Sequence, residues 1–120
     1  MITEDYVSFE TAKLLKEKGF DERPLFHYDD CGQFWVQGGY DKTKKWHFPA
    51  PTFQMAMKWL REVHNIFISI VCCTYPTLKK TTWTPEITTF ESVFPDSAVE
   101  CDTYEEACEV AIRYCLENLL

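Results

Sequence analysis

Ala50-Pro51-Thr52-Phe53-Gln54-Met55-Ala56-Met57-Lys58-Trp59-Leu60-Arg61-Glu62-Val63-His64-Asn65 runs directly into Ile66-Phe67-Ile68-Ser69-Ile70-Val71-Cys72-Cys73, and this passage decides the fold. Thr52 can accept a backbone N–H of the first helical turn, and Pro51 restrains the approach without removing an internal hydrogen bond. Met55, Ala56, Trp59, Leu60 and Val63 recur at spacings of three and four, so they are expected to form the buried stripe, with Lys58, Arg61 and Glu62 opposite. Asn65 tolerates the left-handed conformation that stops a helix, and His64 stands where positive charge complements the dipole. The strand that follows is apolar on both sides. Ile66, Ile68, Ile70 and Cys72 alternate with Phe67, Val71, Cys73 and Tyr75, and Ser69 is the polar exception. An antiparallel strand with one wet face alternates apolar with polar. This strand is therefore expected at the centre of a sheet, covered on both faces, and helices account for only one cover.

Upstream, Ser8-Phe9-Glu10 reads as a helix start, Phe9, Ala12, Leu14 and Leu15 supply its stripe, and Gly19 ends it. Pro24 blocks continuation. Leu25-Phe26-His27-Tyr28 and Gln33-Phe34-Trp35-Val36-Gln37 then form a predicted hairpin around the turn Asp29-Asp30-Cys31-Gly32. Its inner face is Phe26, Tyr28, Phe34 and Val36, and its outer face His27, Gln33, Trp35 and Gln37. Gly38-Gly39 and the lysine-rich segment from Tyr40 to Lys45 lead through Trp46 and Phe48 into the central helix.

Downstream, Pro76 to Lys80 turns the chain back. Thr81 to Phe90 is rich in β-branched residues, but Pro85 cannot donate to a ladder, which places this strand at an edge or at a bulge. Glu91 to Glu100, with Pro95 and Asp96, is expected to be a loop. Thr103-Tyr104-Glu105-Glu106 is a capping box opening a helix whose apolar face is Tyr104, Ala107, Cys108, Ala111, Cys115, Leu116 and Leu119. The order α-β-β-α-β-β-α predicts an α+β fold: a four-stranded antiparallel sheet with helices packed mainly on one face.

At 120 residues the chain fits a single domain, residues 1–120, large enough for a core without metal or disulfide staples. The acidic opening Met-Ile-Thr-Glu-Asp does not read as a secretory signal, no stretch reads as a membrane span, and the expected location is the cytoplasm. Six cysteines could suggest a disulfide framework. Against it, Cys108 and Cys115 lie too far apart along one helix to bridge, and Cys72 and Cys73 point to opposite faces of a strand. They are read, with Cys31 and Cys101, as reduced and mostly buried. The formal net charge of −7 disfavours nucleic acid and anionic membrane as partners.

No motif carries catalysis, a cofactor or a metal. A thiol nucleophile would need His27, His47 or His64 brought to Cys72 or Cys73 by folding. His27 and Cys31 could begin a zinc site but lack a second ligand pair. Asp29-Asp30-Cys31-Gly32 lacks the alternating oxygen ligands of a calcium loop, and Gly38-Gly39 opens no helix. The acidic start of the last helix could imitate a phosphate backbone, although the same glutamates suit any helix N-terminus.

The outer sheet face is the candidate site. If helices cover Ile66, Ile68 and Ile70, then Phe67, Val71, Cys73 and Tyr75 turn outward beside Trp35 and His27 as an apolar aromatic patch suited to a protein partner or to a second copy of the chain. Otherwise the N-terminal helix or the lysine loop folds over it.

Ala50-Pro51-Thr52, Gln54 to His64, Tyr6 to Leu15, Tyr104 to Glu109 and Tyr114 to Asn118 together resemble a family of small uncharacterised proteins from Bacteroides-type gut bacteria and their phages or prophages. The resemblance spans nearly the whole chain and implies a bacterial, mobile-element setting, with no activity or catalytic residue to carry over. The expected function is a non-enzymatic interaction or structural module, phage- or prophage-associated, working through the sheet face without a cofactor. The alternatives are a small thiol- or acid/base-dependent hydrolase or transferase and an acidic DNA-mimic inhibitor.

Overall fold

The computed structural model describes residues 2–94 and 98–120. Three helices, α1 (Phe9–Glu17), α2 (Phe53–His64) and α3 (Tyr104–Asn118), pack with two antiparallel sheets. Strands β1 (His27–Tyr28), β2 (Phe34–Trp35) and β3 (Phe48–Pro49) form a small sheet in the order β2-β1-β3. Strands β4 (Phe67–Tyr75) and β5 (Lys80–Thr88) form a separate ribbon, joined by a short 3-10 turn at Pro76–Leu78. The α+β class and antiparallel pairing expected from the sequence are present. The strands are divided between two sheets, however, and β3 is an additional strand inside what reads as a lysine-rich connection. Pro95 and Asp96 of the expected loop lie outside the described residues.

Each helix starts on a hydroxyl cap. Ser8, Thr52 and Thr103 accept from the backbone N–H of Thr11, Met55 and Glu106 respectively, each satisfying a donor that the first turn leaves free. The Glu106 carboxylate reaches back to the amide of Asp102 rather than to that of the cap, a shifted form of the expected box. Asn65 ends α2 in the left-handed conformation, with φ 54° and ψ 39°, which lets Ile66 drop into the core one residue later.

The core stripe of α2 differs from the expected one. Phe53, Ala56, Met57 and Leu60 are buried with Trp59 beside them, whereas Met55 and Val63 face outward. Apolar residues cover a broad arc of this helix, with Gln54, Lys58, Arg61 and Glu62 on the remainder, so spacing alone allows two overlapping stripes. The stripe at 53, 56, 57 and 60 is the one that meets Ala107, Cys108, Ala111, Ile112, Cys115 and Leu116 of α3 and Ala12 and Leu15 of α1 in one cluster. Phe20, just past α1, closes it edge-on against Trp59 with ring centroids 5.2 Å apart.

The ribbon joins this core through one face at its base, where Ile87 is fully buried and Ile68 and Ile70 pack against the helices. Beyond Ile70 the rest of β4 and the turn, residues 71–80, are exposed. The expectation of a central, doubly covered β4 is thus overturned: among the described residues β4 pairs with β5 alone, and its second face and distal half meet solvent.

Candidate functional site

The six residues expected to share one outer face fall on two surfaces. Trp35 and His27 belong to the small sheet, directly opposite each other across β1 and β2. Phe67, Val71, Cys73 and Tyr75 belong to the ribbon. The contiguous patch does not form, because the two groups of strands never pair with each other.

On the small sheet the lysine-rich segment folds over the outer face. His47 stacks on His27 with ring centroids 3.9 Å apart and planes 13° from parallel, leaving His27 only 6% exposed. The segment is held by Lys16 of α1, whose ammonium donates to the carbonyls of Lys44 and His47 at 2.7 and 2.6 Å. The Asp41 amide donates to His47 Nδ1. His27 donates to the Gly39 carbonyl, while its Nδ1 is buried without a partner among the described residues. Burial lowers the pKa of both imidazoles, and in His47 the neighbouring His27 pushes in the same direction. Two parallel rings direct their nitrogen lone pairs side by side rather than toward a common point, so the pair serves as packing and not as a chelate.

Trp35 remains partly exposed but is fixed by Asp29, whose Oδ2 accepts its indole N–H at 2.8 Å. The other Asp29 oxygen accepts the amides of Cys31 and Gln33. Asp29, Asp30 and Cys31 do place three ligand-type atoms close together, but the Asp29 carboxylate is already engaged in holding the turn. Val36, expected inside, is exposed, because pairing ends at Trp35.

The thiols divide by burial. Cys101, Cys108 and Cys115 are buried, and burial raises all three, Cys108 to about 11 and Cys115 to about 12. At neutral pH they are protonated, small apolar groups. Cys31, Cys72 and Cys73 are exposed, which corrects the expectation that the cysteines are mostly buried. The histidines lie against rings instead: His27 against His47 and Trp35, and His64 against Trp59.

The ribbon presents the more open surface. Val71 and Tyr75 are each 41% exposed and Leu78 at the turn 71%, while the Cys73 thiol beside the Tyr75 hydroxyl raises the pKa of the phenol. Phe67, nearer the base, is half-buried against Phe90. Sequence reasoning found these side chains but missed the backbone edge beside them. Trp83 exchanges both backbone hydrogen bonds with Cys101, and the Ile87 carbonyl accepts from the Phe94 amide. These groups therefore point away from β4. Because backbone direction alternates along an antiparallel ladder, Cys72 opposite Trp83 and Ile68 opposite Ile87 must also point away from β5. The outer edge of β4 is thus made by the N–H and C=O groups of Ile68, Ile70, Cys72 and Thr74. Pro85, opposite Ile70, occupies the same outward set on β5, so its missing N–H costs the ribbon nothing.

No family model, curated protein or solved structure matches the chain.

Proposed function

We propose that this protein is a non-enzymatic protein-interaction module whose working surface is the distal β4–β5 ribbon. The carrying observation is the composition of an open-edged strand: Phe67–Tyr75 spans nine residues and contains no charged residue and no proline. Edge strands that have evolved to stay alone carry lysines, prolines or bulges that discourage pairing. β5 has such devices in Lys80, Pro85 and Glu86, and Thr88–Val93 and Trp83–Cys101 bridges along its far edge. β4 has none within its span. Exposed Val71, Tyr75 and Leu78 add apolar side chains to the unpaired backbone, the combination that strand-addition recognition uses. The absence of a membrane-crossing helix among the described residues and the excess of acidic over basic residues accord with a protein partner rather than lipid or nucleic acid. The resemblance of residues 50–64 to proteins of gut-bacterial phages and prophages supports a mobile-element setting.

The test compares proteins captured from the producing cell by the wild-type chain, by a Val71→Lys/Tyr75→Lys ribbon variant and by a Met55→Lys/Val63→Lys variant of the α2 surface. Partners lost only with the ribbon variant are expected. Capture that ignores the ribbon and depends on α2 refutes the proposal.

A further inference from the structure

We infer that the occupant of the β4 edge is a second copy of this chain, paired antiparallel through β4 about a two-fold axis, so that two ribbons merge into one four-stranded sheet in the order β5-β4-β4-β5. The inference rests on the proposed role of the ribbon and names its partner. The outward groups of Ile68, Ile70, Cys72 and Thr74 recur at every second residue, as a ladder requires, and an antiparallel two-fold presents the same groups from the other copy. In an isologous contact a charge close to the axis would meet its own copy. β4 avoids this, since Phe67–Tyr75 is uncharged although the whole chain carries a net charge of −7.

Lys79 and Lys80 lie at the tip of the ribbon, and the last turn of α2 at its base carries both signs, in Arg61, Glu62 and His64. Charge thus lies outside the strand that the second copy meets. A foreign peptide would find no charged residue on β4 to select its sequence; a second copy needs none. The exposed half of the strand, from Val71 onward, has room for the approach.

The register also supplies a selective disruption. Thr74 directs its N–H outward, so Thr74→Pro removes a donor from the open edge and none from the bonds to β5, as Pro85 already does on the other strand. Val71→Lys places a charge on the apolar strand that the second copy meets. A two-fold anywhere between Val71 and Thr74 brings Cys72 or Cys73 within about 8 Å of the same residue in the partner copy, inside the span of a short bismaleimide.

The experiment is absolute mass by light scattering over a concentration series, with bismaleimide crosslinking of the native thiols in parallel. The expected result is a concentration-dependent rise from 14.2 kDa to twice that mass, with crosslinked dimer that disappears in a Cys72→Ser/Cys73→Ser variant. Thr74→Pro removes two edge bonds per dimer and is expected to weaken association roughly thirtyfold. Val71→Lys weakens it in the same direction, so the conclusion does not rest on one variant. Unchanged circular dichroism shows that the ribbon persists in both. A wild-type chain that stays monomeric throughout overturns the inference, and so does a dimer indifferent to both variants. If the chain is monomeric while the Val71→Lys/Tyr75→Lys variant still loses its captured partners, self-pairing alone fails and the interaction role stands.

Discussion

Removing the Glu109 carboxylate should cost far more than any surface acid normally does. Glu109 projects from α3 onto the start of α1, where its carboxylate accepts from the Ser8 hydroxyl, the Thr11 hydroxyl and, at 3.3 Å, the Ser8 amide. Thr11 is fully buried and Ser8 is the cap of α1, so the contact docks one helix onto another across about a hundred residues of chain. A hydrogen bond to an ionised group contributes about 1.5–3 kcal/mol. The site is only half-buried and Ser8 can turn to water, so Glu109→Ala should lose about 2–3 kcal/mol in total. With stability of roughly 0.1 kcal/mol per residue, that is a substantial share of the whole. It should appear in a two-state urea titration as a lowered midpoint with unchanged slope, and in a thermal scan as a drop of about 10 °C. Glu117→Ala, which breaks only the exposed pair with Arg113 on the same helix, should cost about 0.5 kcal/mol or less. A Thr11→Val/Glu109→Ala cycle should return a coupling of about 1–2 kcal/mol. If Glu109→Ala stays within about 0.5 kcal/mol of wild type, or the coupling vanishes, the hydroxyl–carboxylate cluster does not hold α1 to α3.

The stacked imidazoles should make stability fall with acid. Both histidines have folded pKa values below the unfolded value of about 6.5, so the unfolded chain binds more protons in that range. The stabilisation is complete above about pH 6.5 and declines as the pH drops below it; urea midpoints across this range should show the decline, and His47→Gln should flatten it. Thiol titration of the native chain should label Cys31, Cys72 and Cys73 quickly and leave Cys101, Cys108 and Cys115 until denaturant is added; prompt labelling of Cys115 would contradict its burial. Leu60→Ala, at a fully buried position where three helices meet, should cost about 2–5 kcal/mol by chemical denaturation. Asn65→Val forces a β-branched residue to φ 54° and should cost about 1–2 kcal/mol, whereas Asn65→Gly should be close to neutral.

What the sequence made legible is what short-range chemistry decides. Thr52, Asn65 and Thr103 act at helix ends, and their effects depend on a few neighbouring backbone groups. The burial stripe of α2 was less legible because Met55, Trp59 and Val63 compete with Phe53, Met57 and Leu60, and only the positions of α1 and α3 choose between them. β3 was hidden because two residues, Phe48 and Pro49, have no period to detect. The cover over His27 was hidden for a related reason: it depends on Lys16 reaching two carbonyls some thirty residues away, and no local pattern encodes that reach. Of the candidate site, the ribbon side chains were readable as apolar and the backbone edge was not, since openness belongs to pairing and not to composition.

The composition of β4 nevertheless poses a demand that the folded chain answers only in part. A strand apolar on both faces should be covered twice, and the base of β4 is covered once while its distal half is not covered by the helices at all. Hydrophobic stabilisation within the monomer accounts for Val71 and Tyr75 only in part, because each remains 41% exposed. Local β propensity cannot explain them fully either, since threonines and charged residues would hold the same ladder with less risk of association, as β5 shows with Thr81, Thr82, Thr84 and Glu86. The two strands share one ribbon and one turn yet differ sharply in composition, and the difference follows the edges: β5, whose far edge is bridged at Trp83 and Thr88, carries polar and charged residues, whereas β4, whose far edge is open, carries none of the charged ones. That asymmetry is what a pairing surface requires, and it is the physical reason to look for the missing cover in another polypeptide.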